Sequence, residues 1–122
     1  MLSMLALAAC GDDGVDGPTA CEVGPDIVSA ATSRLISNQP RCTVDDECVA
    51  VWLTARCTGY ELDLCPAIVH REAAPRWDAK QICRDIDRAS VPSDIACTEQ
   101  AACAETGPPV CRSGRCVGSI DP

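Results

Sequence analysis

The sequence predicts an α+β fold: a small disulfide-rich domain with two helices packed on a short antiparallel sheet of three to four strands. Three observations lead there. Ten of the eleven cysteines lie between Cys21 and Cys116. Two stretches, Pro25 to Ser37 and Pro75 to Ala89, repeat apolar residues at helical spacing, and short β-branched runs end in a Gly-tipped C-terminal hairpin. The 122-residue chain has a hydrophobic content of 47%, but much of that is Ala and Cys; aromatics make up 2% and Phe is absent. Large side chains supply most of the area a core buries, so this core is thin and five bridges are expected to compensate.

In the first helix Ile27, Val28, Ala31 and Leu35 share a stripe. Pro25 suits the first helical position, Asp26 faces the positive end of the dipole, and Pro40 prevents continuation. Cys21, just ahead of it, is expected to staple the helix to the domain. The acidic loop Cys42-Thr43-Val44-Asp45-Asp46-Glu47-Cys48 leads into Val49 to Thr54, whose alternation suggests a central strand covered on both faces. Cys57 to Cys65 then encloses a loop carrying Tyr60 and Leu62. Such a loop either presents these side chains to a partner or is a plain connection that packs them inward. Ala67 to His70 reads as a second strand.

Pro75 is expected to open the second helix, on which Ala79, Ile82, Cys83 and Ile86 form the buried face and Val91-Pro92 the end. Cys83 should therefore pair with a cysteine on the sheet or the first helix. Cys97 to Cys103 echoes Cys42 to Cys48 in its Cys-Thr start and its interval. The run Val110 to Val117 reads as a hairpin turning at Ser113-Gly114, with Cys111 opposite Cys116. Those two either bridge each other or reach separate partners. Ten cysteines allow on the order of a thousand pairings, and spacing does not choose among them.

The N-terminus sets the compartment. Leu7-Ala8-Ala9-Cys10 resembles a bacterial lipobox, in which the cysteine is acylated and becomes the mature N-terminus. Residues 1–9 then read as a lipoprotein signal peptide, short and lacking a basic n-region, with a start codon expected upstream. An ordinary cleaved signal peptide or a hydrophobic strand is the alternative. Acylation, with palmitate-type chains, accounts for the odd cysteine and places the remaining ten outside the cytoplasm, where thiols oxidise. Residues 10–20 form the lipidated Cys10 and a flexible acidic tether, and residues 21–122 a single domain. Asp12, Asp13 and Asp16 lack the spacing of a calcium loop.

The formal net charge of -8 argues against nucleic acid and against anionic head groups, and favours basic partners or plain solubility. Zinc would want close Cys-x2-Cys pairs, whereas the intervals here are longer and His70 is the one histidine. No metal, cofactor or catalytic residue is expected. His70 with Glu72, and Asp85 with Asp87, are the residues that acid-base catalysis would have to draft, yet the aspartates diverge by roughly 200° around a helix.

Cys42-Thr43-x-Asp45-Asp46-x-Cys48-Val49, a strand, paired cysteines, a helix and then Cys111-x-x-Gly114-Arg115-Cys116-Val117 resemble small cysteine-rich lipoproteins of myxobacteria and related deltaproteobacteria. Cys57 and Cys65 stand further apart than the adjacent or Cys-x-Cys pairs common in those relatives, and Cys21 is open to pairing with one of them. The resemblance implies a surface or periplasmic lipoprotein and supplies no established activity. The expectation is a lipid-anchored, non-enzymatic binding or structural domain of the cell envelope, at the outer membrane in view of Gly11. Its partners would be the membrane, through the anchor, and an envelope or extracellular protein. The alternative is a protease inhibitor presenting Arg56 to Leu64, with Arg56, Tyr60 and Leu62 as the recognition residues.

Overall fold

The computed structural model describes residues 17–120. The lipobox, Cys10 and the aspartates of the tether lie outside the described residues. The order is α1 (Ala20–Ile36), β1 (Cys48–Val51), β2 (Thr54–Cys57), β3 (Tyr60–Asp63), β4 (Ala67–His70), α2 (Ala79–Ala89), β5 (Cys97–Gln100), β6 (Pro109–Arg112) and β7 (Arg115–Gly118), with 3-10 turns at Asp45–Glu47 and Ala74–Arg76.

The fold is α+β, with two helices, short strands and a C-terminal hairpin, as the patterning indicates. The strands divide among three small sheets. β1 and β4 form an antiparallel ribbon, β2-β3-β5 a mixed sheet in which β3 and β5 run parallel, and β6-β7 the hairpin. Strands of four residues offer too little apolar surface for one continuous sheet. Each small sheet instead finds its own cover, and the bridges tie the pieces together.

Helix α1 starts at Ala20, not at Pro25, so the folded part takes in Thr19, which the sequence reading leaves in the tether. The reason is a capping interaction: the Glu22 carboxylate accepts the Thr19 N–H at 2.8 Å. Pro25 is exposed inside the helix, where it removes the hydrogen bond that would end on the Cys21 carbonyl. The Cys21–Cys97 disulfide holds this turn against β5. Val28, Ala31 and Leu35 are buried on the expected stripe.

Helix α2 likewise differs at its start. Pro75 lies in the preceding 3-10 turn, and Asp78 caps the helix by accepting the N–H groups of Lys80 and Gln81, each at 3.1 Å. Ile82 and Ile86 are fully buried, as their spacing requires.

The expected central strand is a two-stranded ribbon's member, ending at Val51, with its outer Ala50 exposed and Trp52 63% exposed. The chain leaves the ribbon there because consecutive apolar residues serve different cores. Leu53 joins Leu35, Val69 and Ala73 beneath the β1-β4 ribbon, while Ala55 joins Val28, Ala31, Tyr60, Leu62, Ile82 and Ile86 between the helices and β2-β3. Leu64 and Trp77 pack against both clusters, and the Trp77 indole donates to the Thr54 carbonyl at 3.1 Å.

All ten cysteines from Cys21 onward are paired: Cys21–Cys97, Cys42–Cys111, Cys48–Cys116, Cys57–Cys83 and Cys65–Cys103. Their Cα separations of 5.2 to 5.9 Å are those of ordinary disulfides. Cys83 reaches the sheet, and Cys111 and Cys116 face each other yet take separate partners. Cys21 pairs with neither Cys57 nor Cys65, because the first turn of α1 lies against β5. The hairpin contributes no residue to either buried cluster and is clipped by two bridges to the loop 42–48 and to β1.

Candidate functional site

Tyr60 and Leu62 are not presented to solvent. The segment between Cys57 and Cys65 is a β-hairpin with Thr58-Gly59 at its turn, Gly59 having φ +80°. Tyr60 and Leu62 point to one face, where they are 1% and 2% exposed. The plain-connection alternative describes Tyr60 and Leu62, which leaves Arg56 as the exposed one of the three residues in the inhibitor reading. The period-2 alternation of Tyr60-Glu61-Leu62-Asp63 carries this signal. Arg56 does stay exposed, paired across the strands with Glu61 at 3.6 Å.

The catalytic candidates are likewise spoken for by the fold. His70 is buried on β4; its Nδ1 accepts the Glu72 N–H at 3.1 Å, and its Nε2 faces Glu47 at 3.8 Å. Glu72 enters this arrangement through its backbone, not its carboxylate. Asp85 accepts from Gln81 Nε2 at 2.7 Å, and Asp87, two residues on, is exposed on a different side of the helix.

The acidic loop 42–48 also has a structural use. Asp45 accepts the Cys111 N–H at 2.8 Å, binding the hairpin. Glu47 accepts the Thr43 and Val44 N–H groups at 2.6 and 3.2 Å and the Thr43 hydroxyl at 3.1 Å. These donors, the Thr43 N–H foremost, hold the Glu47 carboxyl below its ordinary 4.5. A carboxylate favoured by the fold stabilises it above the unfolded value and loses that contribution as pH falls through the folded one. Glu47→Gln is therefore expected to flatten the acid limb of the stability profile below pH 4.5. Chemical denaturation across that range is the check, and a limb as steep as the unmodified protein's would refute it.

A concave surface lies at the C-terminal end of α1. The helix stops where Asn38 takes a left-handed φ of 57° and turns the chain toward β1. Gln39 locks the turn by accepting the His70 N–H at 2.8 Å and donating to the Ile36 carbonyl at 3.1 Å. Arg41 then reaches the hairpin, donating to the Ser113 carbonyl at 3.0 Å, while its guanidinium lies over Gly114. Gly114 has φ +80° and no room for a Cβ under that guanidinium.

The result is a cleft of about 520 Å³ with an aliphatic floor from Ile36, Pro40, Ala67 and Ile68 and with Arg41 and Arg115 at its hairpin wall. A second concavity, of about 570 Å³, shares Asn38 with it and is lined by Arg34 and Arg76. Arg76 donates to the carbonyls of Ser37 and Arg34, satisfying the helix end. The guanidiniums of Arg34 and Arg115 are exposed and make no hydrogen bond or ion pair among the described residues.

Four of the ten cationic side chains thus line two concavities that share Asn38, and none of the described carboxylates lines either. Sequence reasoning missed this site, and the net charge points the other way. Arg34, Arg41, Arg76 and Arg115 are scattered over the chain and carry no shared local pattern. At physiological ionic strength charges are screened beyond about 8 Å, so the lining of a cleft decides its ligand more than the total does.

Fold and site together define a disulfide-stapled α+β module with an arginine-lined cleft. No family model matches the chain, and neither do the curated proteins or the solved structures. Among the described residues no helix is long and apolar enough to cross a membrane.

Proposed function

We propose that this protein is a lipid-anchored, extracytoplasmic domain, acylated at Cys10 and held at the outer membrane, whose role is to bind a partner in the cell envelope. The observation that carries the reading is the complete pairing of the ten cysteines from Cys21 to Cys116. Such a framework forms and persists in oxidising compartments, and it leaves Cys10, beside its lipobox, as the one cysteine needing another fate. The resemblance to small cysteine-rich lipoproteins supports the same address. A binding role is favoured over catalysis because the His70 ring is buried, with Nδ1 taken by the Glu72 N–H and Nε2 facing Glu47, while the cleft offers guanidiniums and aliphatic floor.

The test is the intact mass of the protein purified from its own membranes, with thiol alkylation before and after reduction. A lipid-sized increment at Cys10, no alkylation before reduction and ten alkylated thiols after it is the expected result. Ten reactive thiols without reduction, or a Cys10 free of lipid, would overturn the proposal.

A further inference from the structure

We infer that the arginine-lined cleft at the end of α1 binds an acidic peptide segment of a partner protein, one in which carboxylates flank an aliphatic side chain. The inference deepens the binding role proposed above by naming the class of partner. Guanidiniums grip carboxylates through paired N–H donors in a fixed fork. The four arginines line two concavities that share Asn38 rather than gathering at a point, which suits an extended ligand. A compact anion such as phosphate would engage one end and leave the floor of Ile36, Pro40, Ala67 and Ile68 wet. An aliphatic side chain seated there removes that floor from water, and it needs no aromatic platform of the kind a sugar would stack on.

Position sets the cleft away from the point where the described chain enters the domain. Helix α1 has 17 residues and so runs about 25 Å between its ends. The tether enters at one end, and the cleft lies at the other. Arg41 and Arg76 are held by backbone carbonyls before any ligand arrives, so two of the four guanidiniums are already placed.

The experiment measures fluorescence anisotropy of a fluorescein-labelled Gly-Ser-Glu-Ile-Glu-Gly-Ser peptide titrated with the full oxidised chain. Saturable binding that weakens with salt is expected. The double variant R34Q/R115Q removes two exposed charges that no internal contact uses; it should keep the wild-type circular dichroism and lose about tenfold in affinity. R56Q/R84Q, which changes the net charge equally on other surfaces, should bind as wild type. Absence of saturable binding, equal affinity for the Gln-Ile-Gln peptide, unchanged affinity in R34Q/R115Q or an equal loss in R56Q/R84Q would each overturn the inference. So would equal competition by inorganic phosphate or phosphatidylglycerol vesicles, which would make the cleft a general anion site. The outcome is separable from the anchoring test: a lipidated chain that ignores the peptide loses only this inference, and a chain without lipid that binds it loses only the anchor.

Discussion

Full reduction in the absence of denaturant is expected to unfold this domain. Each bridge contributes about 2 to 4 kcal/mol by restricting the unfolded chain, and a small domain's whole stability is about 5 to 15 kcal/mol. The buried side chains cannot make up the loss: Ala31, Ala55 and Ala73 occupy core positions, and alanine removes little apolar area from water. Circular dichroism and NMR dispersion before and after addition of a phosphine reductant are the measurements. A reduced chain that retained native dispersion would show that the apolar core suffices.

The effect should also be divisible. Replacing Cys42, Cys48, Cys111 and Cys116 by alanine removes the two bridges that clip the hairpin, whose strands belong to neither buried cluster. Hydrogen exchange should then lose protection over Pro109–Gly118 while the amides of α1, α2 and β3 stay protected. Uniform loss everywhere would mean that the hairpin bridges stabilise the helical core as well.

Tyr60→Ala is expected to cost about 3 to 5 kcal/mol, the range for emptying a buried aromatic site. Tyr60 is the largest fully buried side chain among the described residues. Its ring lies so close to α1 that a Cβ on Gly24 would come within 2.6 Å of it, and its hydroxyl donates to the Glu99 carboxylate on β5. Tyr60→Phe keeps the ring and should cost about 1 to 3 kcal/mol, because Glu99 is left half-buried without its donor. Burial foremost, and then the Glu99 carboxylate, hold the hydroxyl proton above the ordinary 10.0. A raised value stabilises the fold below the unfolded value and is lost as pH rises, so stability should decline above pH 10.0, less so in Tyr60→Phe. Denaturation midpoints across the series are the check, and a Tyr60→Ala loss under about 1 kcal/mol would mean the site collapses around the gap.

By itself the sequence determined the class of fold, the buried stripes of both helices, the strand Ala67–His70 and the hairpin facing of Cys111 and Cys116. These follow from local geometry: periods of 3.6 and 2, and a Gly-tipped turn, act over a few residues. Helix starts were misplaced where a cap outranked a proline, at Thr19 over Pro25 and at Asp78 over Pro75. The capping pairs Thr19-Glu22 and Asp78-Gln81 were legible in principle, as an oxygen acceptor placed to receive the first free N–H groups.

Only tertiary structure decided the rest. The division into three sheets depends on which core takes Leu53 and which takes Ala55, two residues apart in a strand-like run. The pairing of ten cysteines depends on distances set by the whole chain. The parallel pairing of β3 and β5 joins residues more than thirty apart in sequence, and the sequence pattern assigns no element to Cys97–Gln100. The cleft is the clearest case, because Arg34, Arg41, Arg76 and Arg115 become neighbours only when α1, the loop before β1, the turn before α2 and the hairpin tip converge. Charge acts through space over several ångströms, while a sequence records only order along the chain, so a basic site can sit unseen in an acidic protein.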